Sequence, residues 1–208
     1  MTNKLLPTKF KEIQGSIYAG FWHRIGALLL DFVIVYPYVL LLEYINGLSR
    51  LAFLYTLVPY LAFFLIYHVY LVKRYGGTPG KLIVGIKIVK KNADDADWQA
   101  AIMRYIITFS LLIFGVIVMI SALNLIDDTT FLNLTFQGRN KYLSELNPVI
   151  SKVQIWLTAI WVYSEFIVLL TNERKRSIHD FMAGTVVVKS KYLPTIRELF
   201  MKEEFINK

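Results

Sequence analysis

Gly20-Phe-Trp-His-Arg-Ile-Gly-Ala-Leu-Leu-Leu-Asp-Phe-Val-Ile-Val-Tyr-Pro-Tyr-Val-Leu-Leu-Leu-Glu-Tyr44 decides the fold class. A helix needs about 20 mostly apolar residues to cross the hydrocarbon core of a bilayer. This stretch supplies them, with Asp31 inside it. Three others qualify: 50–72 with Pro59 and His68, 103–126 with no charge between Arg104 and Asp127, and 152–171 interrupted by Glu165. Trp22, Tyr44, Tyr70 and Tyr105 lie near span ends, where amphipathic rings suit the interface. Short connections give two antiparallel helix hairpins. The expected architecture is an all-α membrane bundle of four helices.

Composition agrees. Of 208 residues, 56% are hydrophobic, 15% aromatic and only 18% charged, against roughly 25% charged in an average soluble domain. Mean hydropathy is +0.49. A soluble chain of this size leaves roughly 30% of its unfolded surface wet, too much to hide so apolar a sequence. Disorder, a disulfide scaffold and an ordinary cytosolic enzyme are excluded. With no cysteine, neither disulfides nor thiolate metal sites are available. The net charge of +8 raises nucleic acid as a partner, but most charges lie beside the apolar runs and no basic domain stands free of them. The opening MTNKLLPTKFKEIQGS has no short apolar core followed by small residues, so no cleaved signal peptide is expected.

Lys and Arg set the orientation. Four lie in the segment through Arg24, seven in 73–104 and eight after Thr171; Arg50, Arg139, Lys141 and Lys152 lie on the other side. The division is 19 against 4. The positive-inside rule then puts both termini and the 73–104 loop in the cytoplasm of a bacterial inner membrane, with the 127–152 loop outward. The chain reads as a cytoplasmic segment 1–17, a membrane domain 18–190 and a tail 191–208. Lys81–Lys90 follows the turn signal Gly76-Gly-Thr-Pro-Gly80 and is rich in β-branched residues, as is Gly184–Lys191. A lone strand leaves its backbone unpaired, so the two are expected to pair under the membrane. The tail reads as an amphipathic helix offering Ile196, Leu199, Phe200 and Phe205 to the bilayer surface. No internal repeat is visible.

Ionisable groups inside spans are costly, roughly 2.5–3.5 kcal/mol at mid-helix, and usually face the bundle and pair. Arg24 and Asp31 are seven residues apart on one helix face, which puts Asp31 about 10 Å deeper. Glu165 has similar depth, and His68 and Arg104 fall in the same half. One reading is a structural network that fixes helix register. The other is a proton- or cation-exchanging site whose carboxylate is tuned by burial and arginine. His68 reads as a satisfied helix-end histidine, and Glu43 as a solvated carboxylate near the outer end of the first helix.

Tyr18-Ala-Gly-Phe-Trp-His-Arg-Ile-Gly-Ala-Leu-Leu-Leu-Asp31, Gly77-Thr-Pro-Gly-Lys-Leu-Ile-Val-Gly-Ile-Lys-Ile-Val89, Arg104 and His179-Asp-Phe-Met-Ala-Gly-Thr-Val-Val-Val188 together resemble the RDD family of bacterial membrane proteins. The family is named for an arginine and an aspartate in the first helix and a second aspartate, which match Arg24, Asp31 and Asp180. The resemblance covers 18 to about 190; the long 127–152 loop and Glu165 depart from it. It implies a transport role, with cation/proton antiport among members, or a role as a regulatory or resistance partner. It also adds Asp180, and with it Lys81 and His179 of the matched motifs. The expected site is a cytoplasmic-face cluster of Arg24, Asp31, Arg104 and Asp180, with Glu165 beside it.

Other motifs carry less. Gly76-Gly-Thr-Pro-Gly-Lys81 fails as a phosphate loop, because Tyr75 stands where glycine is needed and Leu82 where Ser or Thr is needed. Asp94, Asp95 and Asp97 lack the glycine and final glutamate of a calcium loop, so they read as a turn that caps the following helix. No nucleophile elbow or metal cluster appears, so neither enzymatic activity nor a cofactor is expected. The basic runs 73–74 and 174–176 suit anionic lipid headgroups. Two functions follow: exchange of a proton for a monovalent cation at Asp31 and Glu165, or a non-enzymatic membrane partner of another envelope protein. Four spans without an inverted repeat are few for a secondary transporter, which favours a homo-oligomer or the partner role.

Overall fold

The computed structural model of the chain describes residues 5–206. Continuous apolar runs become long helices: α1 (Phe21–Asn46), α2 (Arg50–Leu65), α5 (Trp98–Leu123) and α8 (Pro148–Thr171). Four helical stretches, Phe21–Asn46, Arg50–Ile83, Trp98–Leu123 and Pro148–Thr171, are long and apolar enough to cross a membrane. Pro37 and Pro59 lie inside α1 and α2, as membrane helices tolerate. The third of these helices begins before the expected residue 103. Asp97 accepts at 2.8 Å from the Ala100 N–H and so caps its start at Trp98. Two compact units form, one from Met1–Ile34, Ile66–Tyr105 and Ser164–Lys208, the other from Val35–Leu65 and Ile106–Tyr163.

In the first unit a π-helical turn, Ile66–Tyr70, is followed by α3 (Leu71–Tyr75). Gly76 ends α3 at φ +81°, and its N–H donates to Val72 O. This is a left-handed cap that favours glycine. Thr78 then opens the short α4 (Pro79–Ile83) with proline at its first position, where its missing N–H is harmless. The expected strand from Lys81 is therefore corrected: Lys81–Ile83 close a helical turn, and β1 (Ile86–Lys90) starts after Gly85 at φ +76°. The short helix α9 (Ile178–Met182) precedes β2 (Thr185–Lys189). The two strands pair antiparallel with Ile88 opposite Val187, as the sequence leads one to expect.

The sheet is covered on both faces, following the two-residue alternation of strands. Ile86, Ile88 and Val187 pack with Ala19, Ala27, Val72, Ala100 and Ala101. Val89, Val186 and Val188 face the other way, onto Leu6, Phe10, Ile13, Ile17, Leu193 and Ile196. The N-terminal segment is thus part of the fold: Ala19 N donates to Val187 O and Lys189 N to Ile17 O, both at 2.9 Å, forming an antiparallel bridge beside β2. The tail helix α10 (Leu193–Ile206) needs a correction as well. Ile196 is fully buried and Leu199 packs against the same cluster, so this face is spent on the sheet and not on a bilayer. The Phe200 and Phe205 side chains lie outside the described residues.

In the second unit, ring contacts join Tyr38 to Phe63 and Phe64 to Phe109, and Trp161 Nε1 donates to Thr108 Oγ1 at 3.1 Å. The 127–152 connection is not an open loop. It forms α6 (Asp128–Asn133) and α7 (Phe136–Leu146), capped by Asp127 and Thr135. Phe131 and Leu143 bury against Phe53, Leu123 and Ile126, and Arg50 reaches Asp128 at 3.0 Å. Outward positions of this unit such as Val58, Ile117 and Ile160 stay exposed, the pattern of helices whose solvent is lipid.

Candidate functional site

Asp180 is the most densely held carboxylate in the first unit, and its side chain has no exposure. It occupies the third position of α9. There Oδ2 accepts from the Ser177 N–H at 3.1 Å and from its hydroxyl at 3.0 Å, a capping-box arrangement. Two guanidiniums from membrane helices also reach it: Arg24 to Oδ2 at 3.0 Å and Arg104 to Oδ1. Thr185 Oγ1 adds a donor at 3.1 Å, and the Asp180 carbonyl accepts from Arg176 at 2.9 Å. Burial alone pushes the carboxyl up, but Arg104 and Arg24 outweigh it and hold it well below the usual carboxylate range. One aspartate therefore fastens α1 and α5 to the sheet.

Asp31 does a parallel job at the other short helix. Its Oδ1 accepts from Tyr67 at 2.6 Å and from the Gly80 N–H at 2.7 Å, and Oδ2 accepts from Thr78 at 2.5 Å. A carboxylate placed against the N-terminal N–H groups of α4 is favoured by both hydrogen bonding and the helix dipole. Gly80 is obligatory here, since a Cβ would lie 2.3 Å from Ala27 O and 2.7 Å from Asp31 Cγ.

The expected cluster is thus reorganised. Arg24 pairs with Asp180, and among the described residues no ion pair joins it to Asp31. Arg24, Asp31, His68, Lys81, Arg104, Glu165 and His179 all line one cavity of about 270 Å³, with Tyr105 and Ser177, while Asp180 lies behind the wall. Lys81 Nζ approaches Thr78 Oγ1 at 3.3 Å. Glu165 accepts from the His179 backbone N–H at 3.0 Å and pairs with His179 Nδ1. Both side chains keep some exposure, 13% for Glu165 and 23% for His179. His179 is lowered from the ordinary histidine value by burial and by Arg104. The Tyr105 ring lies between His179, 6.4 Å away, and His68, 4.9 Å away. Ser177 Oγ is 3.0 Å from both His179 Nε2 and Asp180 Oδ2, and its single proton serves only one of them.

The basic run 174–176 turns inward in part. Arg174 donates to Leu6 O and Arg176 to Thr185 O, each at 3.0 Å. Residues that the sequence does not place in the site are Tyr67, Thr78 and Gly80 on Asp31, Ser177, Thr185 and Arg176 on Asp180, and Tyr105 in the cavity. Ser177-x-x-Asp180 and Thr78-Pro79 are legible helix-start patterns. Nothing in the sequence marks Tyr67 among thirteen tyrosines.

Both named aspartates and the arginine thus fall at the joints between membrane helices and the sheet. The RDD family model matches residues 18–184. Uncharacterized membrane protein YteJ of Bacillus subtilis (strain 168) is similar, 24% identical over 193 residues that span 86% of each chain. No solved structure matches. With Arg24, Asp31 and Asp180 inside the matched region, this membrane protein with four apolar helices belongs to the RDD family.

Proposed function

We propose that the protein exchanges a proton for a monovalent cation at the cavity of the first unit, with Glu165 and His179 carrying the proton. The supporting observation is the succession Glu165, His179, Tyr105, His68 along one cavity wall. Asp31 and Asp180 each accept from three or more donors, so in this reading they hold the frame and Glu165 is the carboxylate left to exchange. A neutral His179 accepts the Ser177 hydroxyl proton at Nε2. Once protonated it donates there instead, and the hydroxyl turns to Asp180. Loading the site is thereby linked to the joint that fastens α1 and α5.

The division of 19 basic residues against 4 supports a bacterial inner membrane location with both termini and the sheet cytoplasmic. Lys73, Arg74 and the half-buried Lys175 are then the cations of these runs placed for anionic headgroups. Because the chain has no native cysteine, single cysteines at 94 and 141 report sidedness cleanly. Impermeant maleimide should label 141 and not 94 in intact cells.

Proton release tests the exchange itself. In weakly buffered detergent solution, added sodium or potassium should release protons from wild type and not from Glu165→Gln; equal release from both overturns the assignment. The second reading, a non-enzymatic membrane partner, is favoured by the same hydrogen bonds on Asp31 and Asp180, since both act there as structural caps. A folded protein that releases no proton with any monovalent cation moves the conclusion to it.

A further inference from the structure

The second unit holds a separate cavity of about 600 Å³, within the range of small-molecule sites. Its walls follow one stripe of each of α1, α2, α5 and α8 at helical spacing, as at 108, 111, 112, 115, 116 and 119 on α5. The α5 stripe alone runs about 16 Å at 1.5 Å per residue. These helices turn amides and hydroxyls inward, among them Asn46, Thr56, Gln154 and Thr158, and leave Leu40, Val58, Ile117 and Ile160 outside. That is the reverse of a soluble helix and the mark of a lined intramembrane cavity.

One formal charge lines it. The Glu43 carboxylate makes no hydrogen bond or ion pair among the described residues, while its backbone carbonyl accepts from the Gly47 N–H. Glu43, expected as a solvated carboxylate near the outer end of α1, is half-buried with its helix face turned to the cavity. The nearby cation, Arg139, attracts Glu43 through space but makes its direct contacts elsewhere: it donates to Asn46 O at 3.2 Å and to Leu134 O at 3.3 Å and lies over the Phe131 ring at 4.2 Å. Tyr60, Phe53 and Trp161 supply aromatic walls, which attract organic cations through their faces. The geometry points to a binding site for a lipophilic organic cation, its apolar body along the α5 stripe and its charge at Glu43. This site is independent of the exchange proposed for the first unit.

Tetraphenylphosphonium and tetraphenylborate, two probes of like shape and opposite charge, test the site on protein in lipid nanodiscs by equilibrium dialysis against empty nanodiscs. The cation should bind saturably and more tightly than the anion. Glu43→Gln should weaken it at least about tenfold, the loss of one close charge pair in low dielectric. Gly115→Leu should also weaken it, since a Cβ at 115 already lies 3.2 Å from Gln154 Nε2 on the cavity wall. Tighter binding of the anion, or equal cation binding by folded Glu43→Gln, overturns the proposal; the cation–anion comparison on wild type decides it even where a variant does not fold.

Discussion

Asp180→Asn keeps the shape of the side chain and removes its charge, so it isolates what that charge does. Arg104 and Arg24 have side-chain exposures of 1% and 11% and both point at this carboxylate. Removing one partner of a buried pair costs about 3–5 kcal/mol, because the charge left behind is neither hydrated nor paired. Here one carboxylate serves two guanidiniums, so the upper part of that range is expected. The asparagine also presents an NH2 group to donors already aimed at Oδ1 or Oδ2. Against a total stability of about 5–15 kcal/mol, this is enough to open the sheet from the helices. Thermal unfolding in detergent, with proteolysis of the 184–191 segment as a local probe, should show a large loss. Adding Arg104→Gln should recover part of it by removing one stranded charge. An Asp180→Asn protein within about 0.5 kcal/mol of wild type would be an ordinary surface result and would refute the joint described here.

Three other outcomes follow from the same geometry. Gly80→Ala should destabilise the protein, since its Cβ would meet the Ala27 carbonyl at 2.3 Å; thermal unfolding equal to wild type would show that α4 can slide away from α1. Ile196→Ala should cost about 2–5 kcal/mol as a cavity in the sheet core, whereas a lipid-facing tail would show lost vesicle binding at unchanged stability. His179 titrates below its unfolded value, so the unfolded chain binds more protons and stability falls as pH drops through about 6.5. A series of melting curves between pH 5 and 8 should give a smaller slope for His179→Gln; identical slopes would exclude His179 as the source.

Much of this is legible in the residues themselves. Length and apolarity mark the four helices, and β-branched runs mark both strands and their pairing, because these signals are local. The partners of the charges were harder. Arg24 and Asp31 share a helix face seven residues apart, yet each is claimed by a different short helix brought in from distant sequence. Asp180 gained its place through resemblance, and the reason for it, a capping box that also collects two guanidiniums, is visible only in three dimensions. The burial of Ile196 is not legible because an amphipathic helix beside a membrane reads the same whether its apolar face meets lipid or a sheet, and that of Leu6, Phe10, Ile13 and Ile17 because scattered apolar residues in a segment without regular structure carry no period. That Glu43 lines a cavity is likewise invisible in the sequence, since its position says how deep it lies and not which way its helix face turns.

Flux in proteoliposomes tests the central claim most directly, with wild type beside Glu165→Gln under imposed sodium, potassium and pH gradients. The account predicts cation-dependent proton movement by wild type and its loss in a Glu165→Gln protein that inserts and melts normally. Undiminished movement in that variant, or none from folded wild type with either cation, would contradict it.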